Sequence, residues 1–248
     1  MLELKNISIS VGGGDEGDEG EVEIIYNVSL SLERKKIYVI TGPNGGGKTT
    51  LAKAIMGIYP LRCGTIHLDG QDITGKTITE RAKLGIGYAF QSPTRFKGLR
   101  VRDFLEIASE GAGEDALCSL LVDVGLCAKD YIDRELNSSF SGGELKRVEI
   151  ASILARNLNV ALFDEPEAGI DLWSFQKLTE TFRRLKDATD TTIVIISHQE
   201  RILRLADEII LVVGGRVTET TSPDKILGSI DFINPACQEC GASHNPHA

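Results

Sequence analysis

The sequence predicts an α/β fold of the phosphate-loop type: a mainly parallel sheet, an N-terminal antiparallel β-subdomain and a helical insert. Three observations carry this. The run "KIYVITG" is a short apolar strand that ends in glycine and leads through "PNGGG" into the helical "KTTLAKAIMG". The first residues instead alternate apolar and polar, the period of half-buried antiparallel strands. Beyond about residue 158, apolar strand runs alternate with helical patterns, as parallel sheets require.

Taken in order, "LELKNISIS" and "EVEIIYNVSLSL" are the antiparallel strands, and "GTIHLDGQDI" reads as a further strand with a turn. "GIGYAFQ" is a short apolar stretch ending at Gln91. From about Ser92 the pattern turns helical, with "VRDFLEIASE" and "ALCSLLVDVGL" showing few β-branched runs. The parallel pattern resumes at "NVALFDEP". The helix "LWSFQKLTETFRRLKDA" places Leu172, Phe175, Leu178, Phe182 and Leu185 on one face. "TTIVIIS" is a buried-type strand, followed by a helix at "ERILRLA" and strands at "EIILVV" and "RVTET". This organisation gives one domain over residues 1–230, with a helical subdomain over about 92–156, and a tail over 231–248.

The chain has 248 residues, 42% hydrophobic and 25% charged, enough for one sizeable core. No apolar run approaches the length of about 20 residues that crosses a bilayer. The start "MLELKNISIS" lacks the basic-then-apolar pattern of a secretory signal. Direct membrane insertion is therefore not expected, and a cytoplasmic location is. Five cysteines, an odd number, do not form a disulfide framework and fit a reducing compartment. The net charge is −9, and six carboxylates fall in "GGGDEGDEGEVE", Gly12 to Glu23. Glycines and like charges resist compaction, so that tract reads as a solvated hairpin extension, with a docking surface for a basic partner as the alternative. The overall acidity argues against a general nucleic-acid binder.

The chemistry starts at "GPNGGGKT", a full match to G-x-x-x-x-G-K-[ST]. Gly42, Pro43, Asn44, Gly45, Gly46 and Gly47 let the backbone wrap the β- and γ-phosphates of a nucleotide. Lys48 adds positive charge to those oxygens, the Thr49 hydroxyl can ligate Mg²⁺, and Thr50 continues the cradle into the helix. The strand "VALFDEP" carries Asp164 to its C-terminal edge, where open α/β sheets bind ligands. Asp164 is expected in the Mg²⁺ shell, and Glu165 is placed to orient or deprotonate an attacking water. Gln91 and His198 each stand just past a predicted strand and can converge on the γ-phosphate edge, with Gln91 a further Mg²⁺ ligand.

A second turn, Ser141-Gly142-Gly143, opens another helix within "FSGGELKRVEIASILAR". Free N–H groups at a helix start attract phosphate. Since the first loop already wraps the triphosphate, this turn makes sense as a cover over nucleotide held by a second copy. Two chains about a two-fold axis then sandwich two ATP molecules in a self-complementary contact.

With these segments in order, the chain resembles the ATP-binding cassette (ABC) ATPases over roughly residues 1–227. "GPNGGGKTT" is similar to their Walker A loop, "VALFDEP" to Walker B and "FSGGE" to the signature, whose usual last residue is Gln. "EAGID" resembles the D-loop, with Asp171 as its acid, and Gln91 and His198 fall on the Q-loop and H-loop positions. The resemblance implies a Mg²⁺-dependent ATPase that dimerises on ATP. Within the family, "SGGELKRVEIASIL" and "SHQERIL" look more like the ATPase of the Suf iron–sulfur assembly system (SufC-like) than like transporter ATPases, which commonly read "SGGQQQRVAIARAL" and "THD". That implies a SufB/SufD-like scaffold protein as partner, received beside Gln91 and the helical insert. The alternatives are the nucleotide-binding subunit of a membrane ABC transporter, whose sequences "LRVRDFL" also resembles, and an ATP-gated binding module.

The tail "CQECGASHNPH" holds Cys237, Cys240, His244 and His247, and C-x-x-C is a metal-ligand spacing. The later intervals are shorter than in ordinary zinc sites and nothing apolar would fix them. A disordered tail is the expectation, with a zinc or iron–sulfur contact as the alternative.

Overall fold

In a computed structural model, the structure describes residues 1–12, 22–137 and 139–230. Cys237, Cys240, His244 and His247, offered by the sequence as a metal-ligand alternative, and most of the acidic tract lie outside these residues. The N-terminal strands β1 (Leu2–Val11) and β2 (Val22–Leu32) pair antiparallel, and β4 (Cys63–Leu68) with β5 (Gln71–Asp72) completes a four-stranded sheet in the order β2-β1-β4-β5. A six-stranded sheet follows the order β10-β9-β3-β8-β7-β6. Its members are β3 (Ile37–Thr41), β6 (Ile86–Ala89), β7 (Val160–Asp164), β8 (Thr192–Ile196), β9 (Glu208–Val213) and β10 (Arg216–Thr221). All its pairings are parallel except β9 with β10.

The central strands are buried on both sides, which explains their continuous apolar runs. Period-2 alternation divides them between two cores. Val160 and Leu162 face the four-stranded sheet and α1 (Lys48–Met56). Ala161 and Phe163 face the helices, where Phe163 meets Phe182 with ring centroids 4.8 Å apart. The helical insert is α3 (Val101–Ala108), α4 (Glu114–Asp123) and α5 (Ala128–Tyr131), followed by α6 (Gly142–Leu154). Helix α7 (Leu172–Ala188) buries Phe175, Leu178 and Phe182 as expected, but Leu172 is 58% exposed because it opens the helix before the core-facing turn begins. The chain continues through α8 (Glu200–Leu203) to α9 (Pro223–Ile230). Among the described residues no helix is long and apolar enough to cross a membrane.

One helix escapes the apolar-periodicity reading. Helix α2 (Ile78–Lys83) is short and largely exposed, so it has no apolar stripe to show. Its signal is the capping box formed by Thr77 and Glu80. From α2, Arg81 is buried and donates to the carbonyls of Ala54 and Ile55 at 2.8 and 2.9 Å, and to Thr74 at 2.8 Å. It thereby closes the C-terminal end of α1, the helix that begins at the phosphate loop. Arg81→Leu orphans these carbonyls and is expected to cost about 2–3 kcal/mol, read by urea unfolding.

Candidate active site

Strand β3 delivers Gly42 to the edge of the parallel sheet, and the loop turns back into α1 with Gly47 at the N-cap, φ 96°. Gly42 has φ 138°, and a Cβ there would stand 2.0 Å from the Val212 carbonyl oxygen. No other residue fits that approach. A cavity of ≈ 360 Å³ is lined by Asn44, Gly45, Gly46, Gly47, Lys48, Thr49, Thr50, Gln91 and Glu165. The sequence-predicted phosphate loop, Gln91 and Glu165 thus meet in one place.

Lys48 is buried, and its Nζ donates to the carbonyls of Gly42 and Pro43, both at 2.8 Å. The cation spans its own loop and holds it open as a cup. Burial pulls the Lys48 pKa down from the ordinary ammonium range, against the opposing charges of Glu165 and Asp164. Thr49 Oγ1 donates to Asp164 Oδ1 at 3.2 Å. Asp164 is fully buried at the end of β7, and its other oxygen accepts from the Tyr88 hydroxyl at 2.8 Å. Burial, and then the Asp164 charge, push the Tyr88 pKa up, so Tyr88 remains a donor that fixes the carboxylate. Thr49 Oγ1 and Asp164 Oδ1 are hard oxygen donors held against each other, a set that fits Mg²⁺.

Glu165 follows directly with φ 46°, a left-handed conformation rare outside glycine. Its N–H donates to the Ile196 carbonyl at 3.0 Å and its own carbonyl accepts from Ala168 at 3.1 Å, which hold the strained turn in place. The Gln91 amide donates to Glu165 Oε2 at 2.8 Å. The acid is therefore held by Gln91 rather than by Lys48. His198, past β8, approaches Thr41 Oγ1 through Nδ1 at 3.4 Å and does not itself line the cavity. Burial, and then Lys48, lower its pKa, which favours the neutral imidazole.

The second turn lies elsewhere. Ser141 is the N-cap of α6: its Oγ accepts from Glu144 N at 3.2 Å while Glu144 accepts from Ser141 N at 2.7 Å. Glu144 is further held by the Tyr131 hydroxyl. A Cβ on Gly143 would stand 2.1 Å from the Gly169 carbonyl oxygen, so this turn packs backbone to backbone on the segment before α7. Gly143→Ala must displace that segment, at an expected cost of about 1–3 kcal/mol measured by denaturant unfolding.

Asp171, like the Ser141 turn, stands away from the cavity of its own chain. It caps α7, accepting from Trp173 N at 3.1 Å and Ser174 N at 3.0 Å, with the Ser174 hydroxyl at 2.7 Å. An Asp two and three residues before those N–H groups is an N-cap signal in its own right.

Sequence reasoning also missed two groups. Tyr88 gave no signal beyond its place on an apolar strand. Lys146, fully buried on α6, donates to the Asp164 carbonyl at 3.0 Å and to the Phe90 carbonyl, tying the acid strand to the segment that carries Gln91.

Comparison with known proteins agrees with this geometry. A family profile described as "ABC transporter" matches residues 25–168. An uncharacterized ABC transporter ATP-binding protein of Methanocaldococcus jannaschii is 36% identical over 89% of this chain and 90% of its own length. A probable ATP-dependent transporter of Pyropia yezoensis is 32% identical over 90% of this chain and 91% of its own. An energy-coupling factor transporter ATP-binding protein of Mesomycoplasma hyopneumoniae is 32% identical over 86% and 79%. Among solved structures, a dimeric ATP-binding cassette in a post-hydrolysis state with ADP and phosphate superposes with TM-score 0.78 at 23% identity, over 90% of this chain and 99% of that one. A bacterial Atm1-family exporter with ATP bound gives TM-score 0.78 at 26% identity, over 92% of this chain and 40% of that one.

Proposed function

Because this chain belongs to the ABC transporter family of ATP-binding proteins, we propose that it hydrolyses ATP at the Gly42–Thr50 cavity and closes as a dimer on the nucleotide. The observation that carries this reading is the convergence of Lys48, Thr49, Gln91 and Glu165 on one cavity above the buried Asp164. The loop N–H groups and Lys48 bind the phosphates. Thr49, Asp164 and Gln91 would hold Mg²⁺, which supplies charge that offsets the β- and γ-phosphate oxygens. Glu165 takes the proton of the attacking water as its oxygen bonds to the γ-phosphorus. The bond to the β-bridging oxygen breaks with its electron pair, leaving ADP and phosphate. Before that step the Gln91 amide must release the Glu165 carboxylate, so Gln91 sets when the acid becomes competent. Neutral His198, anchored on Thr41, positions the far side of the γ-phosphate.

A second copy supplies Ser141, Gly142 and Gly143 to the nucleotide. In support, this turn is absent from the lining of its own cavity, and a Cβ at Gly142 meets nothing within 4 Å. The α6 N-terminus is therefore accessible to an outside anion. Asp171 contributes by fixing the start of α7 beside this turn.

The partner driven by closure separates two readings. The sequence expectation was a Suf-type scaffold, but the relatives named above are described as transporter ATP-binding proteins. That favours a membrane-embedded transport subunit. The scaffold reading keeps only the sequence resemblance at Lys146 and Glu149, whose contacts with Phe90 lie within this chain and do not discriminate between partners. Detergent extraction and purification of the chain with its native partner distinguishes them. A multi-span membrane protein supports the transport reading, and a soluble protein rich in strands supports assembly.

A further inference from the structure

Just before the Ser141 turn, the helical insert holds a half-buried arginine against two rings. The Arg134 guanidinium carbon lies 4.3 Å from the Phe140 ring centroid and 4.8 Å from that of Tyr131, and the two rings meet edge to face at 5.8 Å. Stacking of this kind fixes a guanidinium without neutralising it. Its hydrogen bonds are long, from Nη2 to the Ser139 carbonyl at 3.5 Å and hydroxyl at 3.4 Å, and among the described residues no carboxylate forms an ion pair with it.

The turn beside it carries an opposing charge. Glu144 Oε2 accepts from Ser141 N at 2.7 Å, and Oε1 accepts from the Tyr131 hydroxyl. Burial raises the Glu144 pKa, but the Tyr131 and Ser141 bonds, together with the Arg134 charge, outweigh it and hold the group below the ordinary carboxylate range. Glu144 is therefore a negative charge in the first turn of α6. That suits the helix start but opposes a phosphate arriving at the same place. Arg147, whose charge also reaches Tyr131, is engaged by the Gly125 carbonyl at 2.9 Å and the Ser174 hydroxyl at 2.6 Å. Arg134 has donors left.

We propose that Arg134 is the counter-charge that lets this turn accept the triphosphate held by a second copy, offsetting Glu144 and donating to the terminal phosphate. A guanidinium pinned by rings presents its free N–H groups in a fixed fork, the geometry that suits phosphate oxygens. The inference rests on the reading that two copies close on ATP, and it adds a side chain outside the glycine turn on which closure depends. Arg134 does not line the nucleotide cavity of its own chain, so ATP binding by a separate subunit should not need it.

The test measures closure of the full-length Glu165→Gln chain with Mg-ATP by analytical ultracentrifugation. Adding Arg134→Met, which keeps an apolar stem against the rings, is expected to weaken the dimer about 10–100-fold, since each dimer holds two such turns. Adding Glu144→Gln as well removes the charge to be offset but keeps a capping box, and should restore closure to within a few-fold. Packing lost at the rings would not be restored in this way. Closure indifferent to Arg134→Met, or a loss that Glu144→Gln leaves unrepaired, overturns the proposal. If Arg134→Met fails to fold, Arg134→Gln takes its place with the same two outcomes. Failure of Glu165→Gln itself to close ends the dimer reading and this inference with it, whereas closure that ignores Arg134 ends this inference alone.

Discussion

Glu165→Gln is expected to slow ATP hydrolysis by about 10²–10⁴-fold while leaving nucleotide affinity within a few-fold of the parent. The amide keeps the shape of the carboxylate but cannot accept the water proton. Its environment predicts that the substitution is tolerated. The φ of 46° is fixed by backbone bonds to Ile196 and Ala168, not by the carboxylate. The only side-chain bond at risk among those described is from Gln91, and an amide oxygen can still accept it. Because hydrolysis resets the closed state, the variant should accumulate as an ATP-bound dimer on sizing chromatography with Mg-ATP. Hydrolysis at the parent rate would mean that another group activates the water.

Lys48→Ala acts at binding rather than turnover. The loss of one buried cation from the phosphate cup is expected to lower kcat/KM by about 10²–10³-fold, and ATP-induced dimerisation should vanish with it. Two contributions combine. The phosphate charge loses its partner in a site that a second copy is proposed to cover, where less water leaves the interaction stronger. The Gly42 and Pro43 carbonyls also lose the bonds at 2.8 Å that hold the cup open. Removing a cation that burial already disfavours offsets part of the second effect, so thermal stability should change little. Isothermal titration with ATP separates this variant from Glu165→Gln, since only Lys48→Ala should fail to bind.

The phosphate loop and the acid strand were legible in the sequence because their constraints are local. A tight glycine turn between strand and helix, and a strand ending in Asp164 and Glu165, show within a few residues. What was hidden depends on contacts between distant segments. Tyr88 meets Asp164 only because β6 and β7 are neighbours in the sheet. Lys146 reads as a surface charge on a helix, yet the fold buries it against two carbonyls from separate segments. Ser141 was assigned to nucleotide from its place at a helix start and Asp171 by analogy of motif, and within the chain both side chains serve as helix caps. Helix α2 and the exposure of Leu172 were missed for the same reason: apolar periodicity reports burial, and neither is settled by it.

A dead-site mixing experiment tests the composite centre most directly. Gly142→Asp adds a carboxylate at the first turn of α6, where a Cβ meets nothing within 4 Å and the helix start tolerates negative charge, so the chain should fold. It should nevertheless repel the γ-phosphate presented by another copy. Alone, Gly142→Asp and Lys48→Ala are each expected to be inactive. Mixed in equal amounts, only a pair of unlike chains brings an intact loop against an intact turn, at one of its two sites, and part of the parent rate should return. A Gly142→Asp chain that splits ATP at the parent rate by itself, or a mixture that recovers nothing, would contradict an active centre shared between two copies.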